Sequence, residues 1–220
     1  MKIVIAGGHG KIALLLSRDL SGRGITVAGL IRDPRQAPDL EAAGASPLVL
    51  DLESASAAQV ADALSGADAT VFAAGAGPNS GVARKYTVDR DGSVLLATAA
   101  ESGGVPRFVQ VSTMGAGQPA TPGSDEVWQA YLEAKTAAED DLRGRDLDWT
   151  ILRPGRLTDV PGTGLVSLGR PPLPGGSVPR QDVASVLAEL LLTPGLGGLT
   201  LELTGGGAPI RDAVRAINAS

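Results

Sequence analysis

Apolar positions fall into two alternating patterns along the chain. Short apolar, β-branched runs read as buried strands. The stretches between them repeat apolar residues at helical spacing. Strands are predicted over Lys2–Ala6, Ile25–Ile31, Ser46–Leu50, Ala69–Ala74, Arg107–Ser112, Trp149–Arg153 and Leu199–Leu203. Helices are predicted from Lys11 (apolar at Ile12, Leu15, Leu16 and Leu20) and over Pro34–Ala43, Ser56–Ser65, Val82–Ser102, Asp125–Arg143, Gln181–Leu192 and Ala208–Ala219. Strands alternating with helices imply βαβ units with right-handed crossovers. The expected fold class is α/β and doubly wound, with a mostly parallel sheet of about seven strands and helices on both faces. No repeat of solenoid length and no break in composition appears, so residues 1–220 read as one domain. Two Gly/Pro-rich stretches, Gly115–Gly123 and Pro154–Pro179, follow predicted strand ends and are longer than ordinary connections. In open α/β sheets ligands bind there, so the region around 154–180 is expected to be a substrate loop.

Composition narrows the classes. Aromatic residues make up only 3% of the chain, so the core must be built from Ala, Val, Leu and Ile. The net charge of -5, with no basic cluster, argues against a nucleic-acid surface. Without cysteine there can be no disulfide, thiolate metal site or cysteine nucleophile. One histidine, His9, cannot build a histidine metal site alone. The chain opens directly on a strand, and no apolar run approaches membrane-spanning length. A cytoplasmic protein, monomer or homodimer, acting on a small molecule is expected.

The first thirteen residues concentrate the chemistry. A strand, then Gly7-Gly-His-Gly10, then a helix is the context of a dinucleotide turn. Gly7 would permit the tight turn, and Gly10 would let the backbone approach a pyrophosphate. Ala13 would keep the helix close to the sheet. Phosphates would sit at the helix N-terminus, among Gly8, His9, Lys11 and Ile12. The residue closing the second strand selects between nicotinamide cofactors, and here it is Arg32. A guanidinium suits a 2′-phosphate, with Lys11 and Arg35 as further charges, so NADP(H) is favoured over NAD(H). Asp33, one residue on, is the competing carboxylate. Asp51-Leu52 ends the third strand, where the carboxylate could reach adenine or merely close a turn. Ala74-Gly75, after the fourth strand, is small enough to pass beneath a ribose.

Tyr131 and Lys135 lie four apart in a helical pattern and so share a face. A cation beside a phenol stabilises the phenolate, which lets tyrosine exchange a proton with a carbonyl or alcohol oxygen. Ser112 or Thr113, at the end of the fifth strand, could donate a hydrogen bond to that oxygen. With these motifs in view, nearly the whole chain resembles a small atypical short-chain dehydrogenase/reductase with a Rossmann-like fold. It is similar to NAD(P)H-binding NmrA-like or epimerase-like bacterial proteins and to flavin/biliverdin reductases of that fold. The resemblance is carried by Gly7–Ala13, Arg32-Asp-Pro34, Asp51-Leu52, Ala74-Gly75, Val111-Ser-Thr113, Tyr131-x-x-x-Lys135 and the run Leu147-Asp-Trp-Thr-Ile-Leu-Arg-Pro-Gly155. It implies Tyr131 and Lys135 as the acid/base pair, with Lys135 also on the nicotinamide ribose. It favours Thr113 over Ser112 as hydroxyl donor and brings Pro154 and the residues after it near the nicotinamide. The chain departs from the pattern at Ala13, where a third glycine is usual, and in its Ser/Thr-to-Tyr interval, which differs from that of longer enzymes.

The expected activity is NADP(H)-dependent reduction of a small carbonyl, quinone or flavin-type acceptor. A non-catalytic cofactor sensor is one alternative, and a sugar-nucleotide epimerase or dehydratase a more remote one. In the Pro154–Pro179 region, Leu157, Val160, Leu165, Val166 and Leu168 could wall an apolar pocket or cover the sheet.

Overall fold

The computed structural model describes residues 1–77 and 80–218. Strands β1 (Lys2–Ala6), β2 (Thr26–Ile31), β3 (Ala45–Val49), β4 (Ala69–Phe72), β5 (Arg107–Val111), β6 (Asp148–Pro154) and β10 (Leu199–Gly205) correspond to the predicted ones. Between them come the helices α1 (Lys11–Gly22), α2 (Ala37–Ala42), α3 (Ala57–Ala63), α4 (Gly81–Arg84), α5 (Gly92–Ser102), α6 (Glu126–Arg143) and α7 (Arg180–Leu192). A last helix, α8 (Ile210–Asn218), follows β10, and the predicted end of that helix at Ala219 lies outside the described residues.

The sheet order is β3-β2-β1-β4-β5-β6-β10, all parallel, extended by two further strands, β8 (Leu165–Gly169) and β11 (Ala208–Pro209). This is a Rossmann-like doubly wound sheet of nine strands rather than about seven. The two additions lie at one edge, where β8 runs antiparallel to β10 and β11 antiparallel to β8. Strand order reverses between β1 and β4, which opens a crevice beyond their C-terminal ends.

Strands covered on both faces must be apolar throughout, and Ile3, Val4, Ile5 and Ala6 of β1 are all fully buried. Their side chains alternate between two cores. On one face, Ile3 and Ile5 pack with Leu16 and Leu20 of α1, with α7 and with α8. On the other, Val4 and Ala6 join Val60 of α3, Leu96 of α5 and Leu142 of α6. Each fully buried leucine contributes about 2 kcal/mol of transfer free energy. Local signals agree with this packing. Ser56 and Gln59 form a reciprocal capping box on α3, and Asp125 caps α6 through the Trp128 amide.

Two predicted elements differ from the structure. The single helix over Val82–Ser102 is interrupted by a π-helical segment, Lys85–Asp91, between α4 and α5. The predicted loop Pro154–Pro179 contains β8 and two three-residue strands, β7 (Arg156–Thr158) and β9 (Ser177–Pro179), which pair with each other in parallel. Periodicity cannot register strands of three residues, because their pairing is supplied entirely from outside the segment.

Candidate functional site

The turn after β1 is built as its glycines require. Gly7 has φ +78°, and a Cβ there would stand 2.6 Å from the Cα of Ala74. Gly8 lies flat against Gly29 of β2, where a Cβ would approach that Cα to 2.8 Å. The loop therefore nestles between its two neighbouring strands and leads straight into α1. No side chain caps the α1 N-terminus at Gly10, and its first turn holds no acidic residue. Free N–H groups and an uncompensated dipole fit an anionic group, so the residues present fit a dinucleotide pyrophosphate.

A crevice of about 310 Å³ runs from this turn across the ends of β2, β3 and β4, lined by Gly7, His9, Gly10, Arg32, Asp51, Leu52 and Ala73–Ala76 among others. Arg32 stands open to solvent, with the Glu53 carboxylate 3.8 Å away. The other two charges expected to serve a phosphate are held elsewhere. Arg35 is tied to Asp33 at 2.6 Å, and Lys11 reaches Asp159 at 2.7 Å. Asp33, the competing carboxylate, caps the short 3-10 turn Pro34–Gln36 by accepting the Arg35 amide. The Arg35 side chain holds the Asp33 pKa down at about 2. Asp51 closes a turn by accepting the Glu53 amide with one oxygen while it lines the crevice. His9 bonds Asp39 at 2.7 Å.

A larger cavity of about 990 Å³ shares Ala73, Ala74 and Gly75 with this crevice. Its lining includes Ile12, Thr113, Tyr131, Lys135 and Pro154. The structure thus brings together the α1 turn, the end of β5, the α6 face and the end of β6. Lys135 is buried, its Nζ 5.8 Å from the Tyr131 ring centroid. The ammonium is fixed by Asp89 at 3.2 Å and by donation to the Val111 carbonyl at 3.2 Å. Asp89 in turn accepts the Ala76 amide at 3.1 Å, which ties Lys135 to the wall of the crevice.

Ser112 and Thr113 are committed differently. The Ser112 hydroxyl donates to Glu139 at 2.5 Å, inside a buried cluster where Glu139 also accepts from Arg153 and Arg143. Burial works against the Arg153 charge, but its bonds to Glu139 outweigh that and leave its pKa raised. Among the described residues the Thr113 hydroxyl makes one bond, to the Met114 carbonyl at 3.3 Å, and the residue lines the cavity. Of Leu157, Val160, Leu165, Val166 and Leu168, Leu157 lines the cavity. Val166 is core, Leu168 packs on it, and Val160 and Leu165 are exposed, so most of this set does not wall a pocket.

Sequence reasoning missed several charged residues that line the crevice and the cavity. Arg84 bonds Glu53 at 2.6 Å on the crevice wall, and that bond holds the Glu53 pKa below its ordinary value. Lys85 and Asp89 are buried and line the cavity. The only available signal was the i, i+4 spacing of Lys85 and Asp89 within a helical stretch, which reads equally as a solvated face.

A family model described as NAD(P)H-binding matches residues 7–194. A Bacillus subtilis protein named "Uncharacterized sugar epimerase YhfK" is 33% identical, over 99% of this chain and 100% of its own length. Among solved structures, a Bacillus halodurans protein whose name reads "Putative NAD-dependent epimerase/dehydratase" superposes with a TM-score of 0.90 at 34% identity, covering 99% of this chain and 100% of that one. The oxidoreductase ylbE from Lactococcus lactis superposes at 0.88 with 28% identity, over 100% and 98%. Among the described residues, no helix is long and apolar enough to cross a membrane. A glycine turn before an uncapped helix, a crevice at the reversal of strand order and a matching family model lead to one assignment: the chain belongs to the NAD(P)H-binding family of atypical short-chain dehydrogenase/reductase fold.

Proposed function

We propose that the protein is an NADP(H)-dependent oxidoreductase that reduces a small carbonyl, quinone or flavin-type acceptor. The observation that carries this reading is that the dinucleotide crevice shares Ala73, Ala74 and Gly75 with the cavity lined by Thr113, Tyr131 and Lys135. The bound nicotinamide nucleotide would supply hydride. Thr113 would donate a hydrogen bond to the acceptor oxygen, and Tyr131 would deliver the proton. Lys135, immobilised by Asp89 and Val111, would hold its charge beside the phenol without reorganising during reaction. Gly7, Gly8, Gly10 and Ile12 would shape the pyrophosphate site, and Leu52, Ala74, Gly75 and Pro154 would pack along the nucleotide. Preference for NADP(H) is supported by Arg32 and by Arg84, which face the crevice where a 2′-phosphate would lie.

The test is acceptor-dependent oxidation of NADPH by the wild type and by Tyr131→Phe. Loss of a positioned proton donor should lower kcat by about 10²-fold or more while nucleotide affinity holds. An unchanged kcat would remove Tyr131 from the mechanism. The names of the Bacillus relatives favour a second reading, an epimerase, with a sugar named for one of them. An epimerase consumes no NADPH overall, so steady acceptor-dependent oxidation excludes it.

A further inference from the structure

We infer that the acceptor carries a negative group, and that Lys85 and Arg156 receive it. This rests on the oxidoreductase reading and narrows its substrate class. Six charged side chains line the cavity: Lys85, Asp89, Asp125, Lys135, Arg156 and Arg180. Four are already committed. Lys135 pairs with Asp89, Arg180 with Asp159 at 2.8 Å, and Asp125 caps α6. Lys85 and Arg156 form no ion pair with any described residue, and the cavity lining carries four positive side chains against two negative ones.

Lys85 is the stronger of the two observations. It is only 5% exposed, yet among the described residues its ammonium makes one hydrogen bond, to the Gly77 carbonyl at 2.6 Å. An ammonium has three donors, and a buried charge without a counter-ion is costly to keep. Its Nζ stands 5.5 Å from the Tyr131 ring centroid, so an anion bound there lies beside the phenol. The π-helical segment begins at Lys85 and includes Asp89, both of which line the cavity, and such segments often mark functional sites. Arg156, on β7 and exposed, presents a planar fork suited to carboxylate, sulfonate or phosphate. The ligand class is therefore a carbonyl, quinone or flavin-type compound bearing one of these anionic groups.

The test uses the full protein saturated with NADP+, so that the nucleotide's own phosphates are already placed. Benzoate and benzamide have the same ring and differ in charge. Each is titrated while following tryptophan fluorescence in a Trp149→Phe background, which leaves Trp128, in the cavity lining with its ring centroid 5.4 Å from that of Tyr131, as the reporter. Benzoate should bind at least about tenfold more tightly than benzamide. Lys85→Met should bring the two affinities together, Lys85→Arg should preserve the preference, and Arg156→Gln should weaken it. Lys85→Met keeps the apolar stem and removes a buried unpaired charge, so its thermal midpoint should hold or rise. Equal affinities in the Trp149→Phe background alone, no response to either probe, or a preference that survives addition of the Lys85→Met, Arg156→Gln pair would each overturn the inference. A parallel turnover assay compares a naphthoquinone with its sulfonate. If neither is reduced but the benzoate preference holds, the oxidoreductase reading fails and the anion site stands. If both are reduced equally and benzoate shows no preference, the activity stands and the anion site falls.

Discussion

Ser112 and Thr113 are adjacent hydroxyls at one strand end, and their surroundings give them different work. Ser112 is spent on Glu139 in a buried cluster, whereas Thr113 keeps a single long bond among the described residues and lines the cavity. Thr113→Val should therefore lower kcat/KM by about 10- to 100-fold with little change in the urea midpoint. Ser112→Ala should do the reverse, costing about 1–2 kcal/mol in urea unfolding. If both variants lose activity equally, the division of labour is wrong. Sequence spacing could not separate them, because the deciding partner lies 27 positions away on α6. Gly7 was legible for the opposite reason. Its role is local, a left-handed φ in a tight turn after a strand, and such a requirement is written in the residue type itself.

At the scale of elements, the core strands and most helices were legible, because each buries a face whose period is intrinsic to the backbone. The Pro154–Pro179 strap was not. Its three short strands owe their pairing to one another and to β10, and Gly and Pro conceal that from any periodicity. The strap is pinned over the glycine turn by Asp159, which bonds both Lys11 and Arg180. The Lys11 hydrogen bond holds the Asp159 pKa below its usual 3.8. A depressed carboxylate pKa stabilises the fold above the unfolded value, and that contribution is lost as pH falls through the folded one. Asp159→Asn should speed amide exchange at Arg156, whose N–H bonds Gly176 across β7 and β9, and should leave exchange in β1 unchanged. Equal rates in the two proteins would show that the pin does not hold the strap. Similarly, the continuous helix expected over Val82–Ser102 hid its π-helical segment, since one added residue per turn leaves the apolar composition intact.

For the whole molecule, stability rests on two aliphatic cores on opposite faces of one sheet. Leu16→Ala empties a fully buried site under α1 and should cost about 2–5 kcal/mol, read as a lower urea midpoint. Acid should act through Asp33, Glu53 and Asp159, all with depressed pKa values in the fold. For Asp33 the window runs from the ordinary 3.8 down to about 2, so its contribution is complete above pH 4 and fades toward pH 2. Thermal midpoints measured across pH 2 to 7 should be flat in the upper range and fall below about 4. Asp33→Asn should reduce the fall, and an identical acid limb would exclude it. The floor of Ala73, Ala74 and Gly75, common to crevice and cavity, has a consequence for kinetics. A nucleotide lying across that floor becomes one wall of the acceptor's chamber, so the second compartment is complete only when the first is filled. Initial-rate lines for the two reactants should then intersect rather than run parallel, and an acceptor analogue should be uncompetitive against NADPH: a compulsory order of arrival, with the nucleotide first.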